Sequence, residues 1–316
     1  MESSSTSVIA AADKDDDPVD NIVPWTDARI RWVEDYVDDD KNKDNRVDKD
    51  GDDDDDDDDD SVAFLDPFAD LNPMETFQFD FATCHNNNNT IHVTIHGYKR
   101  DADAVWESTG LTLWKAAEYL CTYMAAAQKN QELLDQKSVL ELGAGLGLCG
   151  VTAHLLGAAR VCITDGDSAA LQHLRQNVAA NVTSSSSSSS SETSTTVTVR
   201  QLLWGRETTH TFIQQQAATQ NEKSSLYQVI IASDIVYAAV IVEPLWETVS
   251  MLLEKTADAV FVMAYARRDV PVTIQDVIQA GNHAGFDAKL MAEDPSGIWV
   301  YEFRWKEEYL LEAPPA

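Results

Sequence analysis

Apolar positions along the chain change their period from one stretch to the next. Phe77, Phe79 and Phe81 recur at every second residue, and Ile91, Val93 and Ile95 do the same after the four asparagines at 86–89. Period two places one set of side chains on one face of a strand, so 61–96 reads as a β-hairpin with a low-complexity loop. Over 112–127 the period turns helical, with Trp114, Ala117, Leu120, Cys121 and Met124 on one face. Beyond 130, short apolar runs alternate with amphipathic stretches. Predicted strands span 138–142, 160–164, 196–203, 228–232, 259–265, 286–291 and 298–305. Predicted helices span 147–156, 168–181, 244–254 and 272–284. That alternation implies an α/β fold with a seven-stranded, mostly parallel sheet and helices on both faces. Only 292–297 separate the last two strands, too few residues for a crossover helix, so these pair as an antiparallel hairpin.

Composition sharpens the boundaries. The chain has 316 residues, enough for one ordinary domain with tails. Its net charge of −31 is unevenly placed: residues 1–80 hold 28 acidic and 7 basic side chains, the rest 26 and 16. The aspartates of 52–60 repel one another and bury nothing, so 1–60 is expected to be an acidic disordered tail. Within it, 22–37 carries Trp25, Ile30, Trp32, Val33, Tyr36 and Val37, a pattern that fits either a short docking helix or transient structure. Residues 61–130 form an N-terminal extension of hairpin and helix, and 131–316 the ligand-binding domain. A polyserine stretch at 184–191 and a polar stretch from 214 read as surface connections.

The charge argues against nucleic acid as a partner and is compatible with a basic protein. Cys84, Cys121, Cys149 and Cys162 show no CxxC spacing and read as reduced thiols, which suits a cytoplasmic or nuclear setting. The N-terminal residues do not resemble a secretory signal or a transit peptide, and no apolar run reaches the roughly 20 residues a bilayer needs. A monomer without membrane attachment is expected. The seven histidines have no metal-ligand spacing, and GxSxG, Walker and HExxH patterns are absent from the sequence.

The candidate chemistry begins at the first strand of the 131–316 region. Its end is followed by Gly143, Ala144, Gly145, Leu146 and Gly147, a GxGxG turn that leads into a helix. Such a turn lets backbone approach a nucleoside, although a plain glycine turn without ligand has the same spelling. A dinucleotide loop would carry a glycine where Leu148 stands. Glu141, two residues before the first glycine, would repel a pyrophosphate and suit a cationic ligand. Asp165 ends the next strand and can accept both hydroxyls of a ribose; the alternative, capping the following helix, is filled better by Asp167 or Ser168. Ser233, Asp234 and Tyr237 follow the fourth strand, beside the switch point of the sheet. There a carboxylate can orient an amine and a ring can pack on its alkyl stem. Helix capping by Asp234, with Tyr237 as packing, is the competing reading. Trp114 and Trp204 are placed either to flank an adenine or to fill core.

Gly110-Leu-Thr-Leu-Trp114, Glu141-Leu-Gly-Ala-Gly-Leu-Gly-Leu148, Thr164-Asp165-Gly166, Leu203-Trp204-Gly205 and Ser233-Asp-Ile-Val-Tyr237 together resemble the seven-β-strand S-adenosylmethionine-dependent methyltransferases. More narrowly, the chain resembles methyltransferase family 16, the methyltransferase-like protein-lysine methyltransferases, from about 77 to about 306. The resemblance implies a Rossmann-like methyltransferase domain and S-adenosyl-L-methionine as cofactor. It implies that Trp114, Gly143, Ala144, Gly145, Asp165, Trp204 and Ser233 line the cofactor site, while Asp234 and Tyr237 shape the site of the target nitrogen. Methyl transfer to a protein lysine is then expected; arginine, histidine or a small molecule, and a non-catalytic binding module, are the alternatives. Leu146 and Ser233 depart slightly from the family pattern, and the acidic tail, 86–89 and 184–191 have no counterpart in it.

Overall fold

In a computed structural model of the chain, the described residues are 74–83, 90–98, 109–126, 132–182, 196–219, 226–268 and 270–310. The acidic tail with its 22–37 segment, the asparagine loop, Cys84 and the polyserine stretch lie outside them.

The hairpin forms as its period demands. Strands β1 (Glu75–Ala82) and β2 (Thr90–Gly97) pair antiparallel with Phe79 opposite Val93. Phe77, Phe79, Phe81, Val93 and Ile95 are buried, while Thr76, Gln78 and Asp80 face solvent. A two-stranded ribbon is marginal alone and needs a surface to pack on. Helix α1 (Lys115–Ala126) supplies part of it: Tyr119, Leu120 and Met124 join the same apolar cluster as the hairpin phenylalanines.

The remaining elements follow in the order β3 (Ser138–Leu142), α2 (Leu148–Leu155), β4 (Arg160–Asp165), α3 (Ser168–Val182), β5 (Thr196–Gln201), α4 (Arg206–Thr219), β6 (Val229–Ser233), α5 (Val242–Leu252), β7 (Val260–Ala266), α6 (Ile274–His283), β8 (Phe286–Asp294), β9 (Ile298–Trp305) and α7 (Glu307–Leu310). The seven-stranded sheet has the order β5-β4-β3-β6-β7-β9-β8. Strands β3 to β7 run parallel to one another, and β9 pairs antiparallel with both β7 and β8. Alternate side chains of each central strand enter different cores, which is why these strands read as unbroken apolar runs. Val139, Val229, Ile231, Val260 and Val262 pack under α1, α2, α3 and the hairpin. Leu140, Leu142, Ile230, Phe261 and Met263 pack with α4, α5 and α6 through Phe212, Trp246 and Val277. No helix among the described residues is long and apolar enough to cross a membrane.

Two elements differ from expectation. Helix α4 begins at Arg206, where only a polar connection from 214 was expected. It buries Thr209, Phe212 and Gln216, so one stripe exists but just one of its members is apolar. Its contacts are polar instead: the Gln216 side-chain amide donates to the Tyr227 hydroxyl at 2.6 Å, and the Thr209 and Thr248 hydroxyls meet at 3.1 Å. Strand β5 stops at Gln201, short of the expected 203, because its partner β4 ends at Asp165, opposite Gln201. Trp204 therefore lies in the loop beyond the strand.

The outer edge of β2 is closed by side chains rather than by a third strand. Asn181 of α3 accepts from the Thr94 amide (2.9 Å) and donates to the Thr94 carbonyl (2.7 Å). One helical turn earlier, Asn177 does the same with His96, at 2.9 and 3.1 Å, and also donates to the Leu146 carbonyl at 3.0 Å. Residues four apart on a helix lie on one face and here meet residues two apart on a strand. The pair satisfies an edge that would otherwise invite pairing. Asn177→Ala strips three backbone groups of their partner; a loss of about 3 kcal/mol in urea denaturation is expected.

Candidate active site

The order of strand addition reverses between the parallel neighbours β3 and β6: the crossover from β3 leads to β4 on one side, and β6 lies on the other. At such a point the carboxyl ends of the strands open into a crevice. Here it is a cavity of about 650 Å³.

Its floor is the glycine loop after β3. Gly143, Gly145 and Gly147 adopt φ of 61°, 52° and 86°, left-handed values that disfavour any other residue. A Cβ on Gly143 would lie 2.8 Å from Ile235 Cγ2 and 3.3 Å from Trp204 Cζ2; one on Gly145 would lie 2.9 Å from the Gly110 carbonyl oxygen. The loop is thus pressed by Trp204 and Ile235 on one side and by the 109–111 turn on the other. Gly150, unremarked in the sequence, lets α2 descend onto the sheet, since a Cβ there would overlap Glu141 and Ile163. It performs the close-packing role that the third glycine plays in dinucleotide loops.

Asp165 closes the loop from β4. Its Oδ2 accepts the Gly145 amide at 2.8 Å and its Oδ1 the Asp167 amide at 2.9 Å. The Gly166 amide also bears on this carboxylate. Burial raises this carboxyl above its usual range, and the amides of Asp167 and Gly145 oppose the rise. Capping of α3 falls to Asp167, whose Oδ1 accepts the Ala169 amide at 2.9 Å.

Glu141, expected at the ligand, does not line the cavity. Period two along β3 puts it on the Val139 face, under α2, where Oε2 accepts the Gly150 amide at 2.9 Å. Burial, with the neighbouring Cys149 thiol, pushes its carboxyl well above the ordinary range, against the Gly150 amide. The preference for a cationic ligand survives on other residues. The described residues lining the cavity include Asp165, Asp167 and Asp234 and no Lys, Arg or His. A pyrophosphate would meet three carboxylates and no basic side chain among the described residues of the lining. S-adenosylmethionine has an ammonium, a sulfonium and a ribose diol, and no phosphate, so the donor set fits it. Trp114, Gly143, Ala144, Gly145, Asp165, Trp204 and Ser233 all line the cavity, as do Asp234 and Tyr237. Ser233 also accepts from the Cys149 thiol at 3.6 Å, which ties the end of β6 to α2.

Asp234 occupies an unusual backbone position. Its φ is 58°, in the left-handed region, while its amide donates to Ala264 at 2.9 Å and prolongs the β6–β7 ladder. The side chain is only 5% exposed and pairs with Arg268, just past β7. The Arg268 guanidinium stacks 4.3 Å from the centre of the Trp114 ring, whose indole N–H donates to the Thr109 carbonyl at 3.0 Å. Tyr237 stands at the mouth, 52% exposed. The sequence reading missed Arg268. Its available signal was position, a charged residue just beyond the carboxyl end of a strand flanking the switch point.

Aspartate and asparagine tolerate left-handed backbone better than alanine. Asp234→Ala is therefore expected to be at least about 1 kcal/mol less stable than Asp234→Asn in thermal or urea unfolding, from the backbone preference together with the Arg268 hydrogen bond that asparagine can keep and alanine loses.

Residues 100–276 match the family described as lysine methyltransferase, methyltransferase family 16. Protein N-lysine methyltransferase METTL21A of Xenopus tropicalis is 35% identical over 134 residues, covering 42% of this chain and 51% of that protein. Protein-lysine methyltransferase METTL21E of Mus musculus is 30% identical over 156 residues, 49% of this chain and 57% of its own. Protein-lysine N-methyltransferase EEF2KMT of Homo sapiens is 36% identical over 132 residues, 41% and 36%. The chain spans about half the length of the first two curated relatives and about a third of the last. The glycine loop, Asp165 and the Asp234–Tyr237 segment all fall inside the matched stretch, and the chain belongs to the lysine methyltransferase family.

Proposed function

We propose that this protein is an S-adenosylmethionine-dependent methyltransferase whose acceptor is a side-chain nitrogen of another protein, a lysine ε-amine. One observation carries the reading: a cavity whose described lining holds carboxylates and no basic residue, with a ribose-type clamp at Asp165 and a carboxylate and a tyrosine at its mouth. The relatives' names, all protein-lysine methyltransferases, support it. The acidic balance of the chain suits a basic target segment.

The cofactor would supply a methyl group activated by a sulfonium. Asp165 would accept ribose hydroxyls through the acceptor directions that the backbone amides leave open. Trp114 and Trp204 would wall the ligand, and the glycine loop would bring backbone close to it. The amine attacks only as the neutral base, yet a free lysine has a pKa near ~10.4. A cavity that excludes water favours the neutral form, because desolvation penalises the ammonium. Asp234 orients the nitrogen, and Tyr237 packs on the alkyl stem of the acceptor. The lone pair of the neutral amine would form the new N–C bond as the methyl–sulfur bond breaks, with S-adenosylhomocysteine as the leaving group; the one proton released is the one the ammonium loses before attack.

Calorimetry with S-adenosylmethionine should detect binding to the wild-type chain. Asp165→Asn should weaken it about 10- to 100-fold, as expected for losing hydrogen bonds to a charged acceptor. Because burial raises the Asp165 carboxyl, protonation begins above the usual carboxylate range of about 4. Affinity should therefore fall on acidification before ordinary carboxylates titrate, and a pH-independent affinity would remove Asp165 from the role. Asp234→Asn should bind the cofactor normally yet transfer no methyl group. The decisive experiment incubates a cell lysate with labelled S-adenosylmethionine and maps the modified residue by mass spectrometry; label on lysine supports the reading, and its absence ends it.

A further inference from the structure

A carboxylate beside the acceptor creates a difficulty. An ionised carboxylate within a few ångströms of an amine raises that amine's pKa by about 1–3 units, which holds it as the unreactive ammonium. Asp234 lies at the cavity wall with little exposure, where water would screen it poorly. Its ion pair with Arg268 removes the difficulty. We propose, resting on the methyl-transfer reading, that Arg268 is a positioning residue of the acceptor site: it cancels the Asp234 charge so that this carboxylate aligns the amine without holding it protonated.

The geometry favours a fixed partner. Arg268 is clamped between Asp234 and the Trp114 ring, and Trp114 is anchored in turn by its indole hydrogen bond to Thr109. Arg268 does not line the cavity, so it neutralises Asp234 without occupying substrate space. An arginine stays charged at every working pH, whereas a lysine in the same place would titrate with the substrate. The other titratable groups around Asp234 leave this balance in place. Tyr265 at the end of β7 has its phenol raised by burial and by Asp234, with Arg268 opposing, so it stays neutral. Asp276 at the start of α6 is engaged by the Thr273 amide and hydroxyl. Tyr237 is an exposed phenol at the mouth, and Cys149 reaches the neighbouring Ser233. Asp165, which lines the same cavity, accepts the amides of Gly145 and Asp167.

The test is a pH profile. The full chain is assayed with tritiated S-adenosylmethionine on a dialysed, heat-treated cell lysate, counting label in lysine after hydrolysis, from about pH 6 to about pH 10. Arg268→Gln should move the acid limb upward by about one pH unit or more, which is a loss of about tenfold near neutral pH. Its affinity for S-adenosylhomocysteine should not change. Arg268→Lys keeps the cation and should keep the wild-type limb over the neutral range. Where glutamine does not yield folded protein, Arg268→Met, which preserves the packing on Trp114, replaces it. A neutral variant with the wild-type limb overturns the proposal, as does Arg268→Lys with the limb displaced at neutral pH. A wild-type chain that labels no lysine is a different failure, of methyl transfer itself, and the proposal falls with it.

Discussion

The three glycines of the loop have no side chains with which to hold its shape, so much of its conformation has to be imposed by what surrounds it. Here the Gly145 amide is taken by Asp165, the Ala144 amide by the Thr164 carbonyl, and the Leu146 carbonyl by Asn177. Trp204, Ile235 and the Gly110 carbonyl fill the places where side chains would be. Three of these partners are also committed elsewhere. Asp165 is the ribose candidate, Trp204 a wall of the cavity, and Asn177 the residue that closes the edge of β2. The loop, the hairpin and the cavity are therefore one mechanical unit, and the N-terminal hairpin contributes to the site without lining it.

Charge organises the same site. A cavity bordered by three carboxylates discourages phosphates and welcomes a cation, which is what a methyl donor based on a sulfonium requires. The same negative charge would work against the proposed acceptor, an amine that must lose a proton. On the proposed reading the two demands fall to different carboxylates. Asp165 is held by backbone amides, and Asp234 by Arg268. Each carboxylate is positioned by a partner that leaves the cavity itself open.

Legibility in the sequence followed the type of interaction. Phe77, Phe79 and Phe81, or the apolar run of β7, announce themselves because burial acts on each residue separately and the period reports the face. Helix α4 was invisible because its buried stripe is Thr209, Phe212 and Gln216, whose polar members bond to Thr248 and Tyr227 in other elements. Glu141 was assigned to the ligand by its nearness to the first glycine. Yet strand parity turns it toward α2, and Gly150, nine residues later, receives it.

What the sequence determined alone is everything with a local physical signature: the strand and helix periods, the short final connection that forces an antiparallel pair, the glycines that permit left-handed backbone, and the carboxylates at strand ends. Tertiary structure alone decided which groups meet. Asn177 beneath the loop, Gly110 above it, and Arg268 between Asp234 and Trp114 come from elements separated by long stretches of chain. Their contact energy depends on sheet order and helix packing, which no local pattern encodes.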